Sequence, residues 1–210
     1  MSIEMIEEHA FNLGTQIKVI GVGGGGGNAV EHMINCDVGG VEFICANTDA
    51  QALKRNQAKV TMQLGGTITK GLGAGGHPDI GRAAALEDLA AIERAVAGAD
   101  MVFVAAGLGG GTGTGAAPVV AAAARASGAL TVGVVTRPFA FEGRRRQGQA
   151  EQGAASLLDS VDALITIPNE RLVALAGEHA PLLETFQRAD EVLLQAVRAI
   201  ADIITVNSYI

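Results

Sequence analysis

Residues 107–115 read Gly-Leu-Gly-Gly-Gly-Thr-Gly-Thr-Gly, between an apolar run, Met101 to Ala106, and a small-residue stretch opening with Gly115-Ala116-Ala117-Pro118. Few folds accommodate this. A buried strand has to pass through a tight, side-chain-poor turn straight into a helix. Backbone N–H groups in such a turn approach a ligand closely and converge on it. At a helix N-terminus, free amides and the macrodipole both favour negative charge. The run predicts a phosphate site, to which Thr112 and Thr114 add hydroxyl donors.

Two further glycine loops repeat the arrangement. Lys18 to Val22 is a short apolar strand followed by Gly23 to Gly27, Asn28 and a helical run through Ile34. Gly21, Gly23 and Gly26 satisfy G-x-G-x-x-G, a dinucleotide fingerprint that also requires an acid near the end of the second strand. Asp49 is the candidate for that ribose-binding acid. The third loop, Gly71-Leu72-Gly73-Ala74-Gly75-Gly76-His77-Pro78, precedes another helical segment. Three such loops predict convergence on one polyphosphate, whereas a dinucleotide fold needs one. No G-x-x-x-x-G-K-[ST] occurs, which excludes a P-loop of the Walker type.

With aromatic residues at 3% and no Trp, the core must be built from Ala, Val, Ile and Leu, as in parallel sheets buried on both faces. The net charge of −7 argues against a nucleic-acid surface, with Arg144-Arg145-Arg146 the local exception. Cys36 and Cys45 lack metal-ligand spacing and read as buried free thiols in a reducing compartment. The N-terminus lacks the pattern of a signal peptide, and no apolar stretch reaches the roughly 18 residues of a membrane span. The expected location is cytoplasmic, with no membrane insertion.

Residues 1–15 are unpatterned and read as a mobile arm. Expected strands are Ile17–Val22, Val41–Ala46, Val60–Leu64, Met101–Ala106, Ala129–Thr136 and Ala163–Pro168. Expected helices are Asn28–Ile34, Ala50–Arg55, Asp79–Val96, Ala116–Ala126, Arg144–Leu158 and Glu170–Ala176. The alternation predicts an α/β fold, a doubly wound, mostly parallel sheet with helices on both faces. A final helix over about 183–204 carries an apolar stripe of Phe186, Ala189, Leu193, Ala196, Val197, Ile200, Ile203 and Ile204. Residues 16–205 thus form the domain and 206–210 a tail.

In this setting Gly107 to Gly115 resembles the signature of the tubulin superfamily. Gly21 to Asn28, Asn47 to Leu53, Gly71 to Gly75, Val135 to Phe139, Phe141 to Gly143 and Ile167 to Arg171 resemble, in colinear order, the FtsZ family of bacterial cell-division GTPases. The likeness runs from about Ile17 to Thr205. It implies GTP or GDP held between the glycine loops and the final helix. Gly24, Gly25, Gly26, Gly27 and Asn28 would lie on the phosphates, and Gly111, Thr112 and Gly113 would form the main cradle. Ala74 and Gly75 would approach the γ-phosphate. Glu142 would accept from the ribose hydroxyls, with Arg146 near phosphate and sugar. Asn169 and Asp190 would read the guanine edge while Phe186 stacks on its face. A carboxylate accepting guanine N1–H and the exocyclic amine rejects adenine, which presents an acceptor at N1. No carboxylate cage is evident, so Mg²⁺ would be held by phosphates and water. His9, His32, His77 and His179 show no mutual spacing and carry no assignment.

Departures from the family pattern are Gly76-His77, where Ala-Asn is common, and Leu108, where Met is usual. In the family the long helix leads to a loop whose acidic residues activate water against the GTP of the next subunit, then to a second domain and a partner-recruiting tail. Here Val206-Asn207-Ser208-Tyr209-Ile210 follows Thr205. The resemblance therefore implies a GTP-binding subunit of a head-to-tail polymer in the bacterial division ring, with little hydrolysis by this chain alone and no tail-binding partners. Alternatives are a natural capper of such polymers, or an NAD-dependent oxidoreductase resting on Gly21, Gly23 and Gly26 alone.

Overall fold

In a computed structural model of the 210-residue chain, residues 14–170 and 182–206 are described. Six strands form one sheet: β1 (Ile17–Val22), β2 (Val41–Asn47), β3 (Val60–Gln63), β4 (Met101–Gly107), β5 (Leu130–Arg137) and β6 (Ala163–Pro168). Their order is β3-β2-β1-β4-β5-β6, and every pairing is parallel. Continuous apolar runs make this possible, because both faces are covered. In β4, Val102, Val104 and Ala106 enter one core layer while Met101 and Phe103 enter the other. β1 divides the same way, with Ile20 and Val22 on one side and Ile17 and Val19 on the other. Each of the Val, Ile, Met and Phe side chains among these, once buried, contributes about 1.5–3 kcal/mol of transfer free energy.

The helices are α1 (Gly23–Asn35), α2 (Ala50–Arg55), α3 (Gly66–Thr69), α4 (Pro78–Glu87), α5 (Leu89–Val96), α6 (Thr112–Ala126), α7 (Arg144–Leu158) and α8 (Leu182–Val206). α4, α5, α6 and α7 cover one face of the sheet, and α1, α2 and α8 the other. α8 buries Ala189, Leu193, Leu194, Val197 and Ala201, while Ala196 and Ile200 are half-buried. No helix among the described residues is long and apolar enough to cross a membrane.

Several boundaries differ from expectation. α1 and α6 start five and four residues early, at Gly23 and Thr112, so the glycine runs are partly first helical turns. The expected helix Asp79–Val96 is two, broken at Asp88, whose carboxylate accepts the Gly65 N–H at 2.6 Å. Phe186 lies off the buried stripe and is 40% exposed. Cys45 is buried, but Cys36, just past the end of α1, is only partly so. Burial pushes the Cys45 thiol up to about 11. Residues 1–13 of the expected arm at 1–15, residues 207–210 of the expected tail at 206–210 and nearly all of the expected helix Glu170–Ala176 lie outside the described residues.

Candidate nucleotide site

β1 and β4 are adjacent and in register, Val22 opposite Ala106. The chain leaves β1 into α1 on one face and leaves β4 into α6 on the other. The strand ends therefore part at a topological switch point, where doubly wound sheets bind ligands. A cavity of about 360 Å³ opens there.

Its floor is backbone. Gly26 packs on the Ala105 carbonyl so closely that a Cβ would overlap it, which draws the start of α1 onto β4. A Cβ on Gly25 would lie 3.1 Å from the Gly107 Cα. Gly24 and Gly110, by contrast, face open space within the cavity lining. The first turn of α1 and the start of α6 leave amides without intrahelical partners. Thr112 lines the cavity and pairs its hydroxyl with that of Thr48 at 2.6 Å. Thr114 turns the other way: its hydroxyl accepts the Gly109 N–H at 2.9 Å, which shapes the loop, and it is not among the residues lining the cavity.

The third loop stands behind this floor. Asp49 and Leu72 form an antiparallel bridge, flanked by Ala50 N–H to Gly71 O at 3.1 Å and Gly73 N–H to Thr48 O at 3.2 Å. Ala74 is buried, and a Cβ on Gly111 would come within 2.8 Å of its methyl. Asp49 caps α2, accepting the N–H groups of Gln51 at 2.8 Å and Ala52 at 3.2 Å. It lies outside the cavity lining, which overturns the expectation of a ribose-binding acid there.

The other end of the cavity is built by β6 and α8. Asn169 follows β6, is 4% exposed, and its Oδ1 has no hydrogen-bond partner among the described residues. Asp190 lines the cavity and is half-buried. Burial pushes its carboxyl from 3.8 to about 6, an effect opposed by the nearby His32. His32 Nε2 lies 2.9 Å from Glu191 Oε2, and this contact, with a Gln195 hydrogen bond, lowers the Glu191 carboxyl. Phe186 is held edge-on by buried Phe139, with ring centroids 5.2 Å apart, and Phe139 stacks on Phe141 at 4.9 Å. Between the two ends, Glu142 accepts the Phe139 N–H at 2.9 Å and an Arg146 N–H at 2.5 Å.

The family model for the Tubulin/FtsZ family, GTPase domain, matches residues 16–177. The chain belongs to the Tubulin/FtsZ family. It is 62% identical over 188 residues to the cell division protein FtsZ of Pseudomonas aeruginosa, covering 90% of this chain and 48% of that protein. Identity to FtsZ of Azotobacter vinelandii is 59% over 194 residues, covering 92% and 49%. The chain thus spans about half the length of the curated relatives it matches. Among solved structures, the empty FtsZ dimer of M. jannaschii superposes with a TM-score of 0.87 at 44% identity, covering 91% of this chain and 55% of that one. The CetZ2 protofilament of Haloferax volcanii, bound to GTPγS, gives 0.80 at 26% identity, covering 89% and 58%.

Of the residues singled out from the FtsZ resemblance, Gly24, Gly25, Asn28, Gly111, Thr112, Gly113, Glu142, Arg146, Asn169, Phe186 and Asp190 share the cavity. Gly26 and Gly27 lie behind its rim, packed on Ala105 and Cys45. Ala74 and Gly75 reach it only through Gly111 and the adjoining turn. Sequence reasoning missed Thr48, Phe139 and His32, which act on the lining from behind. For Phe139 and Thr48 the signal lay in the same quoted motifs; His32 had none, since Glu191 is 159 positions away. No group of three His, Cys, Asp or Glu able to hold a metal occurs among the described residues.

Proposed function

We propose that this chain binds GTP and GDP in the switch-point cavity. The guanine lies against Asn169, Phe186 and Asp190, and the phosphates on the amides of Gly24, Gly25 and Gly111–Gly113. Glu142 serves the ribose and Arg146 the sugar–phosphate junction. Gly26, Gly27, Ala74 and Gly75 support the phosphate loops from behind. One observation carries this reading: a buried, unpaired acceptor, Asn169 Oδ1, and the half-buried Asp190 carboxylate face a side-chain-free amide floor in one cavity. Buried acceptors without donors are costly. Guanine supplies N1–H and an exocyclic amine, whereas adenine sets an acceptor at N1.

The chain's own residues bind and orient. Any Mg²⁺ would be carried by phosphate oxygens and water, because the glycine turns offer amides and hydroxyls and no carboxylate. The two lining carboxylates are committed elsewhere, Glu142 to Phe139 and Arg146, Asp190 to the base end. No general base stands on the glycine turns, so these residues alone hydrolyse GTP slowly, and rapid turnover requires groups from a neighbouring subunit. In the cell the domain serves a head-to-tail polymer in cytoplasmic cell division, the setting of its FtsZ relatives.

Equilibrium titration with a fluorescent GTP analogue, competed by GDP, ATP and NAD, tests the binding. GDP displaces the probe, while ATP and NAD leave it bound at hundredfold excess. Displacement by NAD at low concentration would instead support a dinucleotide site. Phosphate release at the rate of a complete FtsZ would overturn the assignment of slow intrinsic turnover.

A further inference from the structure

We propose that Thr48 is a positioning residue for phosphate binding: its buried hydroxyl donates to the Thr112 oxygen and commits the Thr112 proton to an anionic oxygen in the cavity. The inference rests on the nucleotide reading above and adds a residue outside the cavity lining.

Thr48 is fully buried, and its only described side-chain partner is Thr112 Oγ1 at 2.6 Å. Two hydroxyls share one contact, so only one of them donates into it. If Thr112 donated, the Thr48 proton would point into a buried site with no acceptor among the described residues, which is unfavourable. With Thr48 as donor, its hydrogen is satisfied and the Thr112 proton is left over. Thr112 lines the cavity at the start of α6, and on this proposal the proton so freed is directed to the ligand space.

The surroundings hold Thr48 rigid. Its carbonyl accepts the Gly73 N–H at 3.2 Å and shares the Thr69 hydroxyl at 3.3 Å with the Gly65 carbonyl at 2.9 Å. Asn47 before it is in register with Gln63 of β3 and accepts the Leu64 N–H at 2.9 Å. A β-branched side chain on a pinned backbone is restricted at χ1. Thr48 therefore links the end of β2, the third loop and the phosphate turn, and orients the one hydroxyl donor that the turn presents.

Equilibrium binding of GDP and IDP to Thr48→Val, Thr48→Ser and Thr112→Val tests this. Losing an oriented hydrogen bond to a charged group weakens GDP about tenfold in Thr48→Val. Thr48→Ser, which keeps the hydroxyl, stays within about twofold of the parent chain. The GDP-to-IDP preference, read at the far end of the cavity, is unchanged in Thr48→Val. Adding Thr48→Val to Thr112→Val costs no further affinity, since Thr48 acts through Thr112. Unaltered GDP binding in Thr48→Val, equal losses in Val and Ser, or additivity in the double variant would overturn the proposal. Should Thr48→Val fail to fold, Thr48→Cys, a weak donor of similar volume, must bind GDP more weakly than Thr48→Ser. If the parent chain itself binds neither GDP nor IDP, the nucleotide reading fails and this inference with it; parent binding with an unaffected Thr48→Val sinks the inference alone.

Discussion

Among the glycines lining the cavity, Gly24 and Gly110 are the two at which an added Cβ would meet no atom within 4 Å. Their bareness serves whatever enters. Gly24→Ala therefore leaves the fold intact, and helix propensity favours it by up to about 1 kcal/mol. GDP affinity falls at least tenfold in this variant. A thermal melt beside a GDP titration checks both halves; a melt lowered by several degrees would show that packing needs the glycine. Asp190 gives a pH signature. Its ligand-free carboxyl titrates near 6, above its ordinary 3.8, through burial. On the proposed reading guanine donates to the ionised form, so affinity holds above pH 6 and falls as pH drops through it, about tenfold by pH 5. Asp190→Asn flattens this acid limb. In the ligand-free chain the sign reverses. Ionising a half-buried, desolvated carboxylate opposes folding, so the penalty is absent below pH 4 and complete above pH 6. Asp190→Asn accordingly raises the melting temperature at pH 8 and leaves it unchanged at pH 4.

α4 and α6 cross with glycine against backbone. A Cβ on Gly81 of α4 would overlap the Gly111 carbonyl and sit 3.0 Å from the Thr112 Cα. Gly115 of α6 abuts the Pro78 carbonyl just as tightly. α4 thus forms the rear wall of the phosphate turn. Gly81→Ala gains helix propensity yet overpacks this crossing, costing about 1–3 kcal/mol and weakening GDP. Gly148→Ala on α7, where nothing lies within 4 Å, is the matched control and raises the melting temperature. A melting temperature raised by Gly81→Ala would refute the rear-wall role. At this scale the strands were readable from sequence to within a residue or so, because runs such as Met101–Ala106 are apolar on both faces. The helix starts were not. Glycine's poor propensity made Gly23–Gly27 and Thr112–Gly115 read as loop, while the fold uses them as first turns whose amides stay free. Asp88 broke an apparently continuous helix through a tertiary bond to Gly65 that no local pattern encodes. Asp49 was misread for the converse reason: a local cap on α2 claims it.

Across the whole molecule, the order β3-β2-β1-β4-β5-β6 places two glycine turns at one crevice, and α8 closes that crevice from the side. The same strand order serves dinucleotide-binding folds, so topology alone does not select the ligand. On the proposed reading, selection lies in the two ends: amides on the turns after β1 and β4, acceptors just after β6 and on α8. Sequence gave the glycine end through spacing. The acceptor end came from family likeness, since Asn169, Phe186 and Asp190 belong to elements far apart in the chain. Backbone resonances of the ¹⁵N-labelled chain, followed during titration, test this two-ended site most directly. Diphosphate alone shifts the amides of Gly24, Gly25 and Gly110–Gly113; guanosine alone shifts the Asn169 side chain and residues around Phe186; GDP shifts both sets together. Guanosine and diphosphate perturbing the same residues, or GDP leaving the glycine amides unmoved, would contradict it.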